Sequence, residues 1–164
     1  MQIVVLSDTH GPRFWKHCPP AVAEHLDGVD LILHAGDVCT VEVLEELAGY
    51  APVRAVLGNN DRPEVAQWGA PETLEFDLAG VATAMIHDSG TKQGRALRMR
   101  RRFPQADLVI FGHSHIPLDL TEEGIRIFNP GSPTDKRRQP YGTLGRLEIT
   151  DGTLVSAEII ELRS

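Results

Sequence analysis

The feature that most constrains this chain is the way its first sixty residues alternate. Three short apolar runs, residues 2–6 (QIVVL), 31–33 and 53–57, are rich in strand-forming residues. Each stops at a polar turn: Ser7-Asp8-Thr9-His10-Gly11, His34-Ala35-Gly36-Asp37 and Gly58-Asn59-Asn60-Asp61. Between them lie helical stretches. Residues 20–26 read as a short helix, and residues 41–48 place Val41, Leu44 and Leu47 on one face behind Thr40 as N-cap. A β-α-β-α-β order predicts a parallel sheet with crossover helices.

The later sequence changes character. Residues 74–78 and 81–87 flank Ala79-Gly80, and residues 144–149 and 154–160 flank Asp151-Gly152, both of them hairpin signals. Residues 94–102 form a basic helix, and 108–111 and 125–128 are further strands. A parallel first half and a hairpin-rich second half predict an α/β protein of mixed sheets with helices outside. The 164 residues suit a single domain spanning 1–164, long enough to bury about two-thirds of its unfolded surface.

Charge narrows the partners. With 23 acidic against 16 basic side chains, the formal net charge is −7, which disfavours broad binding to a nucleic-acid backbone. The two cysteines, Cys18 and Cys39, form no zinc-type pair and no disulfide framework, as expected of reduced thiols in a cytoplasmic protein. The N-terminal apolar run is too short to span a bilayer and lacks a basic leader, so no membrane association is expected.

The chemistry sits at the strand ends. Asp8 and His10, Asp37, Asn59 and Asp61, His87, and His113 with His115 each follow an apolar run, several with glycine beside them. In open α/β sheets, sites gather outside the carboxyl ends of the strands. Imidazole nitrogen, carboxylate oxygen and amide oxygen suit Mn, Fe, Zn or Ni without choosing among them. The seven side chains Asp8, His10, Asp37, Asn59, His87, His113 and His115 are too many for one tetrahedral zinc and suit two divalent ions sharing a carboxylate. Such a centre favours an anionic substrate and lowers the pKa of a bound water to about 7.

Asp8-Thr9-His10, Gly36-Asp37, Gly58-Asn59-Asn60-Asp61, His87 and Gly112-His113-Ser114-His115, in that order, resemble the calcineurin-like metallophosphoesterase superfamily. Asn129-Pro130-Gly131-Ser132 and the short chain resemble its small YfcE-like phosphodiesterase branch. The resemblance implies a four-layer α-β-β-α sandwich of two mixed sheets, with two metals, manganese first among them, at one edge. It implies that Asp8, His10 and His115 hold one metal, that Asn59, His87 and His113 hold the other, and that Asp37 bridges them. It gives Asp37, Asn59 and Asp61 catalytic roles, Asp61 as a supporting residue that orients a ligand or the substrate-side network. It further implies hydrolysis of a small phosphoester, a phosphodiester first, by a bridging hydroxide. The alternative it leaves is a metal-binding scaffold of the same fold without catalysis. Homo-oligomerisation is compatible with either reading.

Two positions depart from the pattern. Many catalytic members carry His where this chain has Asn60, which cannot act as a general acid at neutral pH. The run after His87 reads Asp88-Ser89-Gly90 where relatives often have another His. Outside the motifs, Arg98, Arg100, Arg101 and Arg102 form either a phosphate-recruiting rim or a solvated helix face, and Lys136-Arg137-Arg138 could overhang the site. Cys39 reads as a packed thiol and His34 as structural. His17 and His25 read as surface residues, and Phe14 and Trp15 as either pocket or core.

Overall fold

A computed structural model describes residues 1–163. Among these residues, ten strands form two five-stranded mixed sheets. The first has the order β10-β9-β1-β2-β3, from β1 (Gln2–Leu6), β2 (Leu31–His34), β3 (Val53–Ala55), β9 (Gly142–Thr150) and β10 (Thr153–Leu162). The second has the order β4-β5-β6-β8-β7, from β4 (Thr73–Leu78), β5 (Val81–Ile86), β6 (Leu108–Ile110), β7 (Leu118–Glu122) and β8 (Ile125–Asn129). β1, β2 and β3 are parallel, in register at Ile3 with Leu31 and Ile32 with Val53. β5, β6 and β8 are parallel in the second sheet.

The strand pattern explains the layers. Along β1, Ile3 and Val5 point between the sheets, where they meet Leu33, Met85, Ile110 and Phe128. Val4 and Leu6 point the other way, onto α1 (Pro20–Leu26), α2 (Val41–Ala48) and α3 (Pro63–Trp68) through Leu26, Leu44 and Val65. With both faces covered, β1 reads as a continuous apolar run rather than an alternation. The outer face of the second sheet packs Ala84, Val109 and Ile127 on Ala96, Met99 and Phe103 of α4 (Arg95–Arg102) and its C-terminal end. The result is the four-layer α-β-β-α sandwich.

The two predicted hairpins form. Ala79 and Gly80 have φ of 50° and 95°, Asp151 and Gly152 of 49° and 73°, the double left-handed turn that matches strand twist. Three details differ from expectation. β3 stops at Ala55, because Leu57 leaves the ladder and donates its N–H to Pro71 O. The sequence pattern also passes over α3 and β7. α3 is six residues long and buries only Val65, and β7 is an edge strand with mostly exposed side chains, so neither carries enough periodicity to stand out. No helix among the described residues is long and apolar enough to cross a membrane.

Candidate metal centre

The parallel strands of both sheets deliver their carboxyl ends to one edge, and the predicted site residues meet there. Asp8 and His10 follow β1, Asp37 follows β2, Asn59 follows β3, His87 follows β5, and His113 and His115 follow β6. Asp8, His10, Asp37, His113 and His115 all have positive φ, between 48° and 70°. Five left-handed non-glycine residues in one cluster represent strain that the surrounding contacts must hold, as is common where geometry serves function.

Two groups of donor atoms emerge. In the first, Asp8 Oδ1 lies 3.4 Å from His115 Nε2 and 3.9 Å from His10 Nε2, and the two histidine nitrogens are 3.3 Å apart. In the second, Asn59 Oδ1 lies 3.1 Å from both His87 Nε2 and His113 Nδ1. Asp37 Oδ2 stands between them, 3.6 Å from His10 Nε2 and 3.4 Å from His87 Nε2. Asp8 Oδ1 also reaches the second group, 3.8 Å from His87 Nε2. Both carboxylates thus border both groups.

The donor chemistry fits cations. His115 donates Nδ1–H to Asp135 O at 2.6 Å, and His87 donates Nδ1–H to Ala35 O at 2.7 Å. A carbonyl only accepts, so Nδ1 carries a proton in both rings, and Nε2 presents a lone pair inward whenever the ring is neutral, the orientation a metal ligand needs. Burial lowers the pKa of His10 and of His115, which favours neutral rings. Asp8 Oδ1 is buried with no hydrogen-bond partner among the described residues, while its Oδ2 accepts from Ser7 Oγ at 2.7 Å and from His113 N at 3.0 Å. An orphaned buried carboxylate oxygen faced by imidazole lone pairs calls for positive charge.

The titration behaviour carries the same message. Burial pushes Asp8 up to about 7, against the opposing pull of His87. Burial would also raise Asp37. The hydrogen bond and charge of His87, with the Asn60 backbone and side-chain amides, instead hold it well below the usual carboxylate range. Burial would lower His87, but its hydrogen bond to Asp37 and the charges of Asp8 and Asp37 raise it. A cation between these groups would take the place of the protons held by Asp8 and His87.

Supporting residues brace the cluster. Asp61 accepts N–H groups from Asp37 at 3.0 Å, Cys39 at 2.6 Å and Gly58 at 2.6 Å, tying together the turns after β2 and β3. Its carboxylate is taken up by these N–H groups and stands in neither group of donor atoms. The segment from Asn129 to Thr134 does similar work. Asn129 donates to Gly112 O, Ser132 Oγ donates to Asp8 O, and Thr134 Oγ1 donates to Thr9 O. Gly58 packs so close that a Cβ there would collide with the carboxylate and N–H of Asp37, so the turn after β3 requires glycine.

Other residues resolve as follows. His34 is structural: it is buried, accepts from Gly36 N, shares a hydrogen bond with Thr9 Oγ1, and is pushed down to about 3 by burial. Cys39 is more than a packed thiol. Its Sγ is 3.4 Å from His10 Nδ1, and burial pushes it up to about 12, so it remains a neutral partner of that ring. Trp15 belongs to the core, its indole N–H donating to Glu46 Oε2, whereas Phe14 is exposed. His17 is exposed and His25 half-buried.

The arginines of α4 separate by role. Arg98 donates to Ser89, Thr91 and Gln93 carbonyls, and Arg100 to those of Pro104, Ala106, Glu123 and Gly124. Both brace loops, which the sequence could not show because their partners are backbone atoms of other segments. Arg102 instead lines a cavity of about 360 Å³ together with Asn59, His87 and Asp88.

Comparison with known proteins agrees with this geometry. The family model of the calcineurin-like phosphoesterase superfamily domain matches residues 1–152. A probable metallophosphoesterase of Methanothermobacter thermautotrophicus is 36% identical over 163 residues, covering 98% of this chain and 92% of that protein. A phosphodiesterase of Methanocaldococcus jannaschii is 28% identical over 144 residues, covering 80% and 83%. The zinc-complexed crystal structure of Vps29 from Entamoeba histolytica superposes with a TM-score of 0.77 at 22% identity, over 99% of this chain and all of that one.

Proposed function

The chain belongs to the calcineurin-like phosphoesterase superfamily, and from that membership we propose that it is a metal-dependent phosphodiesterase with a dinuclear centre. The observation that carries the reading is the convergence of imidazole Nε2 atoms on Asp8 Oδ1, which has no hydrogen-bond partner among the described residues, and on the shared oxygen Asp37 Oδ2. Asp8, His10 and His115 hold one cation, Asn59, His87 and His113 the other, with Asp37 common to both and manganese the first ion to test. Two divalent ions supply Lewis acidity toward a phosphoryl group and a water acidic enough to act as nucleophile at neutral pH.

The chain's own residues do the rest. Ala35 and Asp135 carbonyls hold His87 and His115 in the required tautomer. Asp61 fixes the Asp37 turn through three N–H bonds. The cavity beside Asn59 and His87 gives room for a small phosphoester, with the exposed Arg102 placed to meet an anionic group. Position 60 offers an amide rather than an acid, so the leaving group must be a good one or take its proton from solvent. That favours activated phosphodiesters.

The test is hydrolysis of bis-p-nitrophenyl phosphate by purified protein with added Mn²⁺, compared with Asp37→Ala. Metal-dependent turnover that vanishes in the variant supports the reading. Stoichiometric metal uptake without turnover of any phosphoester makes the protein a metal-binding scaffold of the same fold.

A further inference from the structure

Asn60 stands where many relatives carry a histidine, and its lack of acidity is the only property the sequence suggests for it. In the structure it grips Asp37. Its backbone N–H donates to Asp37 Oδ1 at 2.9 Å, and its side-chain Nδ2 donates to Asp37 Oδ2 at 2.8 Å. Both carboxylate oxygens are therefore held by one residue. Oδ2 is the atom that faces His10 and His87.

We propose that Asn60 is the positioning residue of the shared carboxylate, setting the plane of Asp37 so that Oδ2 stands between the two groups of ligands. The inference rests on the metal-dependent reading above. Its physical basis is the softness of the aspartate χ2 torsion, a broad and nearly two-fold rotor that backbone geometry does not fix. One hydrogen bond to Oδ1 leaves the second oxygen free to swing about the first. A second bond, from the same residue to Oδ2, removes that freedom. The grip is rigid because Asp61, the next residue, accepts the N–H of Asp37 itself. Backbone and side chain of Asp37 are thus clamped by one turn.

Asn60 is an exposed residue, and an exposed asparagine elsewhere would exchange its amide bond for water at little cost. Here the amide is committed to a ligand that must address two cations. The hydrogen that a histidine at this place would offer to a leaving group is, in this chain, spent inside the centre.

The experiment is calorimetric titration of Mn²⁺ into metal-free wild-type protein, Asn60→Leu and Asn60→His, with thermal melting of each metal-free protein alongside. Leucine keeps the size and the backbone N–H but has no side-chain donor. Histidine places Nδ1–H close to where asparagine has Nδ2. The expected result is Mn²⁺ affinity lowered about 10–100-fold in Asn60→Leu, the range seen when a partner of a metal ligand is lost, and largely restored in Asn60→His. Metal-free melting of both variants should stay close to wild type, which separates positioning from folding. Wild-type affinity in Asn60→Leu overturns the proposal. So does equal impairment in both variants, or loss of cooperative melting in Asn60→Leu. Failure of the wild type itself to bind Mn²⁺ overturns the metal-dependent reading, and this inference with it.

Discussion

Replacing Asp8 by Asn should make the metal-free protein more stable while weakening its response to metal. In the folded chain burial raises Asp8 from 3.8 to about 7. An acid with a raised folded pKa holds its proton more tightly when folded. There is no penalty below about pH 4, and the folded state loses stability as pH climbs from there through about 7. A gap of about 3 units at about 1.4 kcal/mol per unit gives about 4 kcal/mol lost at pH 8, of which about 2–3 kcal/mol develops between pH 5 and pH 8. Asparagine avoids this. Its carbonyl oxygen can take the place of Oδ2 and accept from Ser7 Oγ and His113 N, and its amide can stand where Oδ1 is partnerless and donate to the His115 lone pair. The assay is urea unfolding of chelator-treated wild type and Asp8→Asn at pH 5 and pH 8. The difference should favour the variant and widen by about 2–3 kcal/mol at pH 8. Added Mn²⁺ at about 100 times its Kd should stabilise wild type by about 2.7 kcal/mol for each site filled, and the variant by no more than one site's worth. A pH-independent difference, or a variant less stable than wild type at pH 8 without metal, would refute the reasoning.

Two further outcomes follow from packing and bracing. Gly58→Ala drives a methyl into the Asp37 carboxylate and N–H, so it should abolish stoichiometric Mn²⁺ uptake in calorimetry; unchanged uptake would show that the turn relaxes freely. Arg100→Ala strips a guanidinium from four backbone carbonyls far from the ligands and should cost about 1–3 kcal/mol, lowering the melting temperature by roughly 2–4 °C per kcal/mol, with Mn²⁺ affinity unaltered.

Much of the centre was legible from sequence because strand-end placement is a local property. An apolar β-branched run followed by Gly and Asp, His or Asn marks both a strand and the sheet edge where its end must lie. Parallel pairing then brings those ends together, as it does for Asp8, Asp37 and Asn59. What stayed hidden depends on contacts between distant segments. Asn60 reads as a missing acid until Asp37, 23 residues earlier, is seen accepting both its N–H groups. Arg98 and Arg100 read as surface charge until their carbonyl partners are known. Cys39 reads as packing until His10 Nδ1 is found beside it. α3 and β7 escaped because short elements with few buried side chains leave little periodicity to detect.

The most direct test of the central claim is to titrate Mn²⁺ into metal-free protein while following both binding and hydrolysis of bis-p-nitrophenyl phosphate. On the proposed dinuclear reading two equivalents should bind per chain, with turnover appearing only as the second is filled, since Asp37 Oδ2 borders both groups. Saturation of binding and activity at one equivalent, or two equivalents bound with no hydrolysis, would contradict it.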